Sequence, residues 1–430
     1  MAIKISMVVW NEFVNDARVL KEAETLQLAG FQVTVHALKV ADTTLRRETT
    51  PKGVSVVRAE HFRRPKFVMR LMQKIFLLRV RPTSDVSFPR AGAIRKVPLR
   101  RQIVLIVRRS MTHLRLIRLM LVAKPDIVHA HDVNTLATAW VTAKLSRAKL
   151  VYDAHEISTD REGYKSFRNL VARVEKFIMP RASLTMTTTD TRAKFFARAY
   201  GIKRPLVLQN RPRFHEANAG NRIREELGVA DDVPIVLYQG GLQQGRGLDR
   251  IVDAAKLVEN ANFVFIGGGR MEQGLKAQVE SLSLGDRVHF IPTVALAKLP
   301  SYTVSADIGV QAIENTCLNH FSTDSNKLFE YLIAGLPIVA TNMPEIRKIV
   351  QEYNLGHLVP ESDTVQLADA IQRLVDDAGS RERFAKNART TARVLNWEAQ
   401  EKEFIDAYKD VVNVDQSQTS IGQSVEDPIP

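Results

Sequence analysis

The sequence has a single cysteine, Cys317, and it has no uninterrupted apolar run long enough to cross a membrane. One thiol excludes an intramolecular disulfide and is typical of a reducing compartment. A transmembrane helix needs about 18–20 apolar residues, and the longest candidate, residues 103–122, is interrupted by four arginines. The N-terminal run MAIKISMVVW is short and is followed by polar residues, so we interpret it as a buried first strand and not as a signal peptide.

Acidic residues are scarce in residues 61–120, which hold sixteen Lys and Arg but one acid, Asp85. The net charge of the whole protein is +14, so this segment accounts for the entire positive excess. No aromatic stacking platform or recognition motif accompanies the bases. Nucleic acid is therefore not a predicted partner, although the charge alone would attract it.

The basic segment has the pattern of amphipathic helices. We predict a membrane patch that consists of Arg63, Lys66, Arg70, Lys74, Arg101, Arg108 and Arg115. The first four recur every three or four residues opposite an apolar face, and the last three recur every seven residues among Ile, Val, Leu and Met. Such helices lie in the membrane interface with their bases toward anionic headgroups. The alternative is a pair of helices packed on the core with a solvated basic face.

Elsewhere, buried strands such as FQVTVHAL and PIVLYQGG alternate with amphipathic helices, and the alternation restarts near Leu206. This β-α-β pattern predicts an α/β protein with two doubly wound, Rossmann-like domains, each with a parallel sheet covered on both faces. The predicted bounds are 1–205 for the N-terminal domain with 61–120 as a basic insertion, 206–392 for the C-terminal domain, 393–412 for a last helix that packs back on the N-terminal domain, and 413–430 for a disordered tail.

The strongest local signal is SNKLFEYLIAGLPIVAT at residues 325–341. Lys327 and Glu330 are three residues apart, so they share one face in the first turn of a predicted helix. Free backbone N–H groups and the helix dipole favour an anion there. Lys327 can pair with a phosphate, and Glu330 can accept hydrogen bonds from ribose hydroxyls. The alternative is a solvated Lys–Glu pair on an ordinary helix.

A second signal is YQGGLQQGRGLDRIVDA, in which a predicted strand ends at Gly240 and Gly241 and a helix starts after Gly247. Glycines let the backbone approach a phosphate closely. Arg246 can offer a fork of donors to a diphosphate. The alternative is a tight connection with a surface arginine.

Polar, titratable residues follow two consecutive predicted strands, in the runs VHAHD and DAHE. Ligands of open α/β sheets bind outside the carboxyl ends of the strands, so we expect a cleft there. Its tentative lining is His131, Asp132, His155 and Glu156. Alternation along the strand places His129 on the same side as His131, and buried structural histidine is the competing interpretation for both. Such a group could also bind a metal ion.

Together these motifs resemble the retaining GT-B glycosyltransferases of the GT4-like family, which includes bacterial polysaccharide and lipopolysaccharide transferases. The C-terminal half carries GGLQQGRGLD, FIGGG and SNKLFEYLIAGLP in the family's order and spacing, and the N-terminal half agrees in NDARVLKEAETLQLAGFQVTV, PDIVHAHD and KLVYDAHE. The resemblance covers residues 1–60 and 122–412. It implies the GT-B fold, in which an acceptor-side N-terminal domain faces a nucleotide-sugar-binding C-terminal domain across a cleft.

The resemblance also implies roles for single residues. Arg246 and Lys327 match contacts to the donor diphosphate, and His131 matches a histidine that faces the donor sugar, so these three are the expected catalytic residues. Glu330 matches a contact to the donor ribose. The expected donor-binding residues are Gly240, Gly241, Gly267, Gly268, Ser325, Asn326 and Glu330. Tentative acceptor or cleft residues are Asn15, Asp16, Asp132, His155 and Glu156. No metal or cofactor is expected, because GT-B enzymes typically work without a metal.

Three features depart from the family pattern. The family often has a second glutamate eight residues before Glu330, where this chain has Ser322, which leaves the donor sugar open. Gly240-Gly241 stands where the family often has Gly-Arg, and the N-terminal loop WNEFVND has no glycine pair.

The resulting prediction is a retaining transferase that moves a sugar from a nucleoside diphosphate sugar, UDP in preference to GDP, to a lipid-linked saccharide or glycolipid in cell-envelope polysaccharide synthesis. The expected location is cytoplasmic and peripheral, on the inner face of the plasma membrane. Two alternatives stay open at this point. One is a nucleotide-sugar 2-epimerase of the same architecture, and the other is a non-catalytic, nucleotide-binding scaffold.

Overall fold

The structure is a computed structural model that describes residues 2–60 and 99–421. Its contacts divide the chain into two compact units, Met1–Val151 and Tyr152–Pro430. The domain boundary predicted at residue 205 lies inside the second unit and stays a prediction. In the described part of the chain, no helix combines the length and apolar character needed to span a membrane.

Two sheets organise the fold. The strands are β1 (Lys4–Val8), β2 (Gln32–Lys39), β3 (Arg47–Thr49), β4 (Ser55–Glu60), β5 (Ile127–His131), β6 (Lys149–Ala154), β7 (Leu184–Thr187), β8 (Leu206–Val207), β9 (Ile235–Gln239), β10 (Asn262–Ile266), β11 (Val288–Ile291), β12 (Ile308–Gln311), β13 (Ile338–Thr341) and β14 (Gly356–Val359). The helices are α1 (Ala17–Leu28), α2 (Leu99–Ala123), α3 (Val133–Ser146), α4 (Arg168–Ile178), α5 (Asp190–Tyr200), α6 (Arg222–Leu227), α7 (Leu248–Leu257), α8 (Glu272–Ser281), α9 (Leu299–Thr303), α10 (Leu318–Phe321), α11 (Asn326–Ala334), α12 (Pro344–Glu352), α13 (Thr364–Asp376), α14 (Ala378–Ala392) and α15 (Glu398–Ile421).

The first sheet has the strand order β3-β4-β2-β1-β5-β6-β7-β8. Strand β1 pairs in parallel with both β2 and β5, whereas the short β3 pairs antiparallel with β4. The strand order reverses at β1, so β1 and β5 flank a topological switch point. Ligands of doubly wound folds bind at the carboxyl ends of such strands, and here the chain continues from these ends into Val9 and Asp132.

The second sheet is parallel throughout, in the order β11-β10-β9-β12-β13-β14. Counted from β9, this is the 3-2-1-4-5-6 order of the Rossmann fold. Strand β9, IVLYQ, is buried along its whole length because helices cover both faces of the sheet. Its switch point lies between β9 and β12, which places the glycine-rich turn after Gln239 at a predicted ligand crevice.

The predicted fold class is confirmed, since both sheets are parallel α/β layers of the expected type. Helix α1 starts at Ala17, because the carboxylate of Asp16 accepts the backbone N–H of Val19 and caps the helix. Helix α15 begins at Glu398 and continues through Ile421, into the segment assigned to a polar tail. The remainder of that segment, residues 422–430, lies outside the described residues.

Candidate active site

Lys327 lies directly over the glycine turn that follows β9. A Cβ atom at Gly240 would come within 2.6 Å of its Cε and 2.8 Å of its Nζ, and Gly240 has φ +123°. The ammonium also lies 5.4 Å from the centre of the Tyr238 ring. Burial and the charge of Arg246 lower the pKa of Lys327 to about 8. The absence of a side chain at Gly240 therefore leaves the space that the lysine amine occupies at the switch point.

Glu330 is held by a hydrogen bond from the last residue of β9. The Gln239 side chain donates from Nε2 to Glu330 Oε2, and Gln239 Oε1 accepts the hydroxyl of Thr303 at 2.8 Å. Gln239 is buried, whereas Glu330 is partly exposed. The carboxylate is thus fixed while part of it remains accessible to a ligand.

The FIGGG turn after β10 packs backbone to backbone on the glycine turn. Gly267 has φ +142°, and a Cβ there would lie 2.1 Å from the carbonyl oxygen of Gly240. The amide of Leu242 donates to the carbonyl of Gly268 at 3.0 Å. Only glycine permits this approach, so the two turns form one surface at the ends of adjacent strands.

Arg246 lies at the start of α7, and its positive charge acts on two neighbouring side chains. Burial lowers the pKa of both Lys327 and His320, and the charge of Arg246 lowers it further in each case. The His320 ring fills the space beside Gly245, where a Cβ would lie 2.2 Å from its Cε1, and its Nδ1 is 2.8 Å from Thr316 Oγ1. The structure therefore gathers Arg246, Lys327 and Glu330 at one end of the second sheet.

Helix α11 begins at this end of the sheet. Ser325 is its N-cap residue with φ +56° and makes no side-chain capping bond, and Asn326 is exposed. No acidic side chain lies in the first turn of α11. This helix start can accept an anion, because its N–H groups point outward and its dipole is positive.

Ser322, the departure from the family's glutamate, is buried and serves a structural purpose. Its hydroxyl accepts from Arg192 Nε at 3.1 Å, and its carbonyl accepts the hydroxyl of Thr189 at 2.9 Å. Arg192 also donates to the carbonyls of His155 at 2.6 Å and Asn319 at 3.0 Å. The loop before α11 is therefore fastened to α5 through one buried guanidinium.

His131 lies in the first unit, at the end of β5, and is almost fully buried. Its ring is 4.0 Å from that of His129, and both rings offer nitrogen atoms within 4.8 Å of a Glu22 carboxylate oxygen. Arg18 Nε lies 3.0 Å from Glu22 Oε1, and both of these side chains are buried.

The tentative cleft residues separate into two groups. In the first unit, Asp16 caps α1 and accepts from the Asn11 amide at 2.7 Å, Asn15 is exposed, and Asp132 has φ +61° at the start of α3. In the second unit, His155 Nε2 lies 2.9 Å from Asp153 Oδ2, and Glu156 lies 3.4 Å from Arg161 Nε.

The predicted membrane patch is described only in part. Arg63, Lys66, Arg70 and Lys74 lie outside the described residues, and so does the side chain of Arg101. On α2, Arg108 is exposed, and Arg115 is half-buried and donates to the carbonyl of Glu60 at 3.0 Å. Leu105, Ile106 and Val107 are each more than half exposed.

Two family models match the chain in succession. The model described as "Glycosyl transferase 4-like domain" matches residues 16–211, and "Glycosyl transferases group 1" matches residues 220–391. This chain belongs to the GT4-like glycosyltransferases. The second model covers every residue that this transferase gathers around Lys327.

Curated relatives are transferases as well. The D-inositol 3-phosphate glycosyltransferase of Xylanimonas cellulosilytica is 25% identical over 303 residues, which cover 66% of this chain and 71% of the relative. The phosphatidyl-myo-inositol mannosyltransferase of Mycobacterium leprae is 22% identical, over 76% of this chain and 86% of the relative.

Solved structures show the same GT-B fold. Sucrose-phosphate synthase from Thermosynechococcus elongatus superposes with a TM-score of 0.73 at 18% identity, over 96% of this transferase and 100% of that chain. Anabaena HepE in complex with UDP-glucose superposes with a TM-score of 0.69 at 16% identity, over 95% and 100%.

Sequence reasoning missed several polar residues of the transferase. Gln239 and Thr303 hold Glu330 in place, and Arg192 and Asn319 fix the loop before α11. Gln239 had a detectable signal, since it is a polar residue at the end of an apolar strand that precedes a glycine pair. Arg192 and Asn319 had none, because their partners are distant in sequence.

Proposed function

We propose that this glycosyltransferase moves a sugar from a nucleoside diphosphate sugar to a membrane lipid or lipid-linked saccharide, with retention of the anomeric configuration. The observation that carries the proposal is the group at the end of β9. There the Lys327 ammonium lies over Gly240, Glu330 is one helical turn away, and Arg246 is close enough to lower the pKa of Lys327. Two cations and a helix N-terminus can stabilise the charge that develops as a diphosphate departs.

The donor is proposed to bind the second unit. Glu330, held by Gln239, would accept hydrogen bonds from the ribose, and the Gly267–Gly268 turn would border the base. The complex of Anabaena HepE with UDP-glucose supports a UDP donor in preference to GDP. Among the described residues placed at the donor site, the carboxylate is Glu330, and its role is assigned to the ribose. We therefore infer attack on the same face from which the diphosphate leaves. His131 would contact the donor sugar.

The acceptor is proposed to be at a membrane. The name of the Mycobacterium leprae relative, a phosphatidyl-myo-inositol mannosyltransferase, supports a lipid acceptor. The exposed Leu105–Val107 run beside Arg108 suits a helix that enters the headgroup region. We infer a peripheral protein at the cytoplasmic face of the plasma membrane that works in cell-envelope polysaccharide synthesis.

Substitution of Glu330 by alanine tests the donor site. A carboxylate that accepts hydrogen bonds contributes about 1.5–3 kcal/mol, so UDP should bind about 10- to 150-fold more weakly by calorimetry. Glu280→Ala, at an exposed position on α8, is the matched control and should bind UDP as the wild type does. Unchanged affinity in the Glu330 variant, with folding intact, would contradict the proposed donor site.

Charge reversal tests the membrane patch. Each base near an anionic surface contributes about 1 kcal/mol, so replacing Arg63, Lys66, Arg70 and Lys74 by glutamate should abolish sedimentation with anionic vesicles. The control replaces four exposed lysines elsewhere by glutamate, and so changes the net charge by the same amount as the patch variant. These are Lys256, Lys276, Lys298 and Lys386. If both variants lose binding to the same extent, net charge and not a patch is responsible.

A further inference from the structure

The last residue of β12, Gln311, has a side-chain amide that makes no hydrogen bond within the fold. Gln311 is 1% exposed, and neither its Oε1 nor its Nε2 has a hydrogen-bond partner among the described residues. Gln239, the last residue of β9, is buried to the same extent, but its two amide atoms are paired with Glu330 and Thr303. Because an unpaired polar group in the interior destabilises a protein, the Gln311 amide calls for an explanation.

The position of Gln311 in the sheet puts it in the candidate donor site. Strands β9 and β12 are the neighbours at the switch point of the second sheet, and Gly309 is opposite Leu237 in their register. Side chains alternate along a strand, so Gln311 lies on the same face as Gly309, and Gln239 lies on the same face as Leu237. The two glutamines therefore end adjacent strands on one face, at the edge where ligands of doubly wound folds bind.

Helix α11 covers this face. The ring of Tyr331 packs on Gly309, where a Cβ atom would come within 2.4 Å of its Cδ2. One turn earlier on the helix, Lys327 lies over Gly240, beyond the end of β9. Along the strand direction, Gln311 falls between these two contacts. Its amide is therefore level with the first turn of α11, which carries the lysine proposed to bind the diphosphate.

A second buried side chain without a partner lies on the other face of the sheet. The hydroxyl of Thr341, at the end of β13, is in a residue that is 1% exposed, and it too lacks a hydrogen-bond partner in the described part of the chain. Val339, two residues earlier, packs in the core cluster of α7 and α13, whereas Ala340 packs in that of α11. Thr341 therefore faces away from α11 and offers an internal comparison.

We propose that Gln311 is a further donor-binding residue, whose Nε2 donates a hydrogen bond to the diphosphate of the donor. An amide N–H suits an anionic phosphate oxygen, and Lys327 and Arg246 already favour an anion at this end of the sheet. Lys327 is partly exposed, and a diphosphate that draws its side chain outward would gain access to the buried amide. The amide destabilises the empty protein and becomes paired in the complex. The inference rests on the proposed function and deepens it by adding a neutral contact to the two cations.

Two nearly isosteric substitutions test this role. Gln311→Met keeps the length of the side chain and removes the amide. The ligand-free variant should melt about 2–4 °C above the wild type, because the unpaired group is gone. By calorimetry it should bind UDP and inorganic pyrophosphate about tenfold or more weakly than the wild type. The matched control, Thr341→Val, should also raise the melting temperature but bind both probes as the wild type does.

Other results would overturn the inference. Wild-type affinity of the Gln311 variant for both probes would show that the amide does not contact the donor, and an equal loss in the Thr341 variant would show a general effect of the core. Weaker binding of UDP alone would move the contact to the nucleoside. A lower melting temperature of ligand-free Gln311→Met would show that the amide has a structural partner.

The two probes also separate this inference from the proposed function. If pyrophosphate binding depends on Gln311 while the wild type does not bind UDP, the inference stands and the proposed donor fails. If the wild type binds UDP and the Gln311 variant binds it equally well, the proposed donor stands and the inference fails. If the wild type binds neither probe, both fail.

Discussion

Replacing Lys327 by methionine is expected to reduce the rate of sugar transfer about 100- to 1,000-fold and to leave the protein folded, because loss of one preorganised donor to a developing oxyanion has effects of this size. Methionine keeps the apolar stem that lies over Gly240. The measurement is kcat with saturating donor. Lys276→Met, at an exposed position on α8, is the control and should transfer at the wild-type rate. A change in KM alone would contradict a role for Lys327 in leaving-group stabilisation.

The pH dependence gives this prediction a second readout. Burial and Arg246 lower the pKa of Lys327 to about 8 in the ligand-free protein, and a bound diphosphate would raise it again. UDP affinity should therefore fall as the pH rises above about 8, whereas Lys327→Arg should keep its affinity because guanidinium stays protonated. The unfolded chain binds more protons than the ligand-free folded protein between about pH 8 and 10.5, so the lysine contribution to the free energy of unfolding rises across this window.

Replacing Arg192 by methionine is expected to lower the free energy of unfolding by about 3–5 kcal/mol, the cost of removing one member of a buried charged network. Its side chain is 6% exposed and donates to Ser322, His155 and Asn319. Its charge also stabilises the carboxylate of Asp324, whose pKa burial raises to about 6. Urea denaturation measures the loss.

Two variants control for this effect. Arg198→Met, an exposed position on the same helix, should change the free energy of unfolding by less than about 0.5 kcal/mol. Asp324→Asn added to Arg192→Met should recover part of the loss, because it removes the buried carboxylate that the arginine stabilised. A loss below about 1 kcal/mol for Arg192→Met would show that the loop before α11 does not depend on this guanidinium.

The parts of the fold that follow local patterns could be predicted from sequence. Strand β9 is an apolar run that a glycine pair follows, and α11 starts after a polar turn, so the position of Gly240 after the strand and that of Lys327 at the helix start were predictable. Helix α15 extends further than its apolar pattern, because polar residues such as Gln416 and Gln418 tolerate a helix without giving it a periodic face.

Other features depend on contacts that no local pattern records. Arg192 looks like any base on an amphipathic helix, and only the fold brings Ser322 beside it. In α4, Leu170 and Phe177 have the spacing of core residues, so periodicity indicates an amphipathic helix but not which stripe is buried. The structure resolves the ambiguity, since the buried stripe contains Glu175 and Ile178.

The carboxylate of Glu175 has a mechanical consequence. Its two oxygens are shared between a tyrosine of β6 and a tyrosine of α5, and burial together with this carboxylate raises the pKa of Tyr200, which therefore stays a donor at ordinary pH. Helix α4 cannot slide or roll by one residue without giving up both bonds at once. A force applied to the exposed side chains of α4 is therefore transmitted to β6 and α5, so the helix moves together with these two elements.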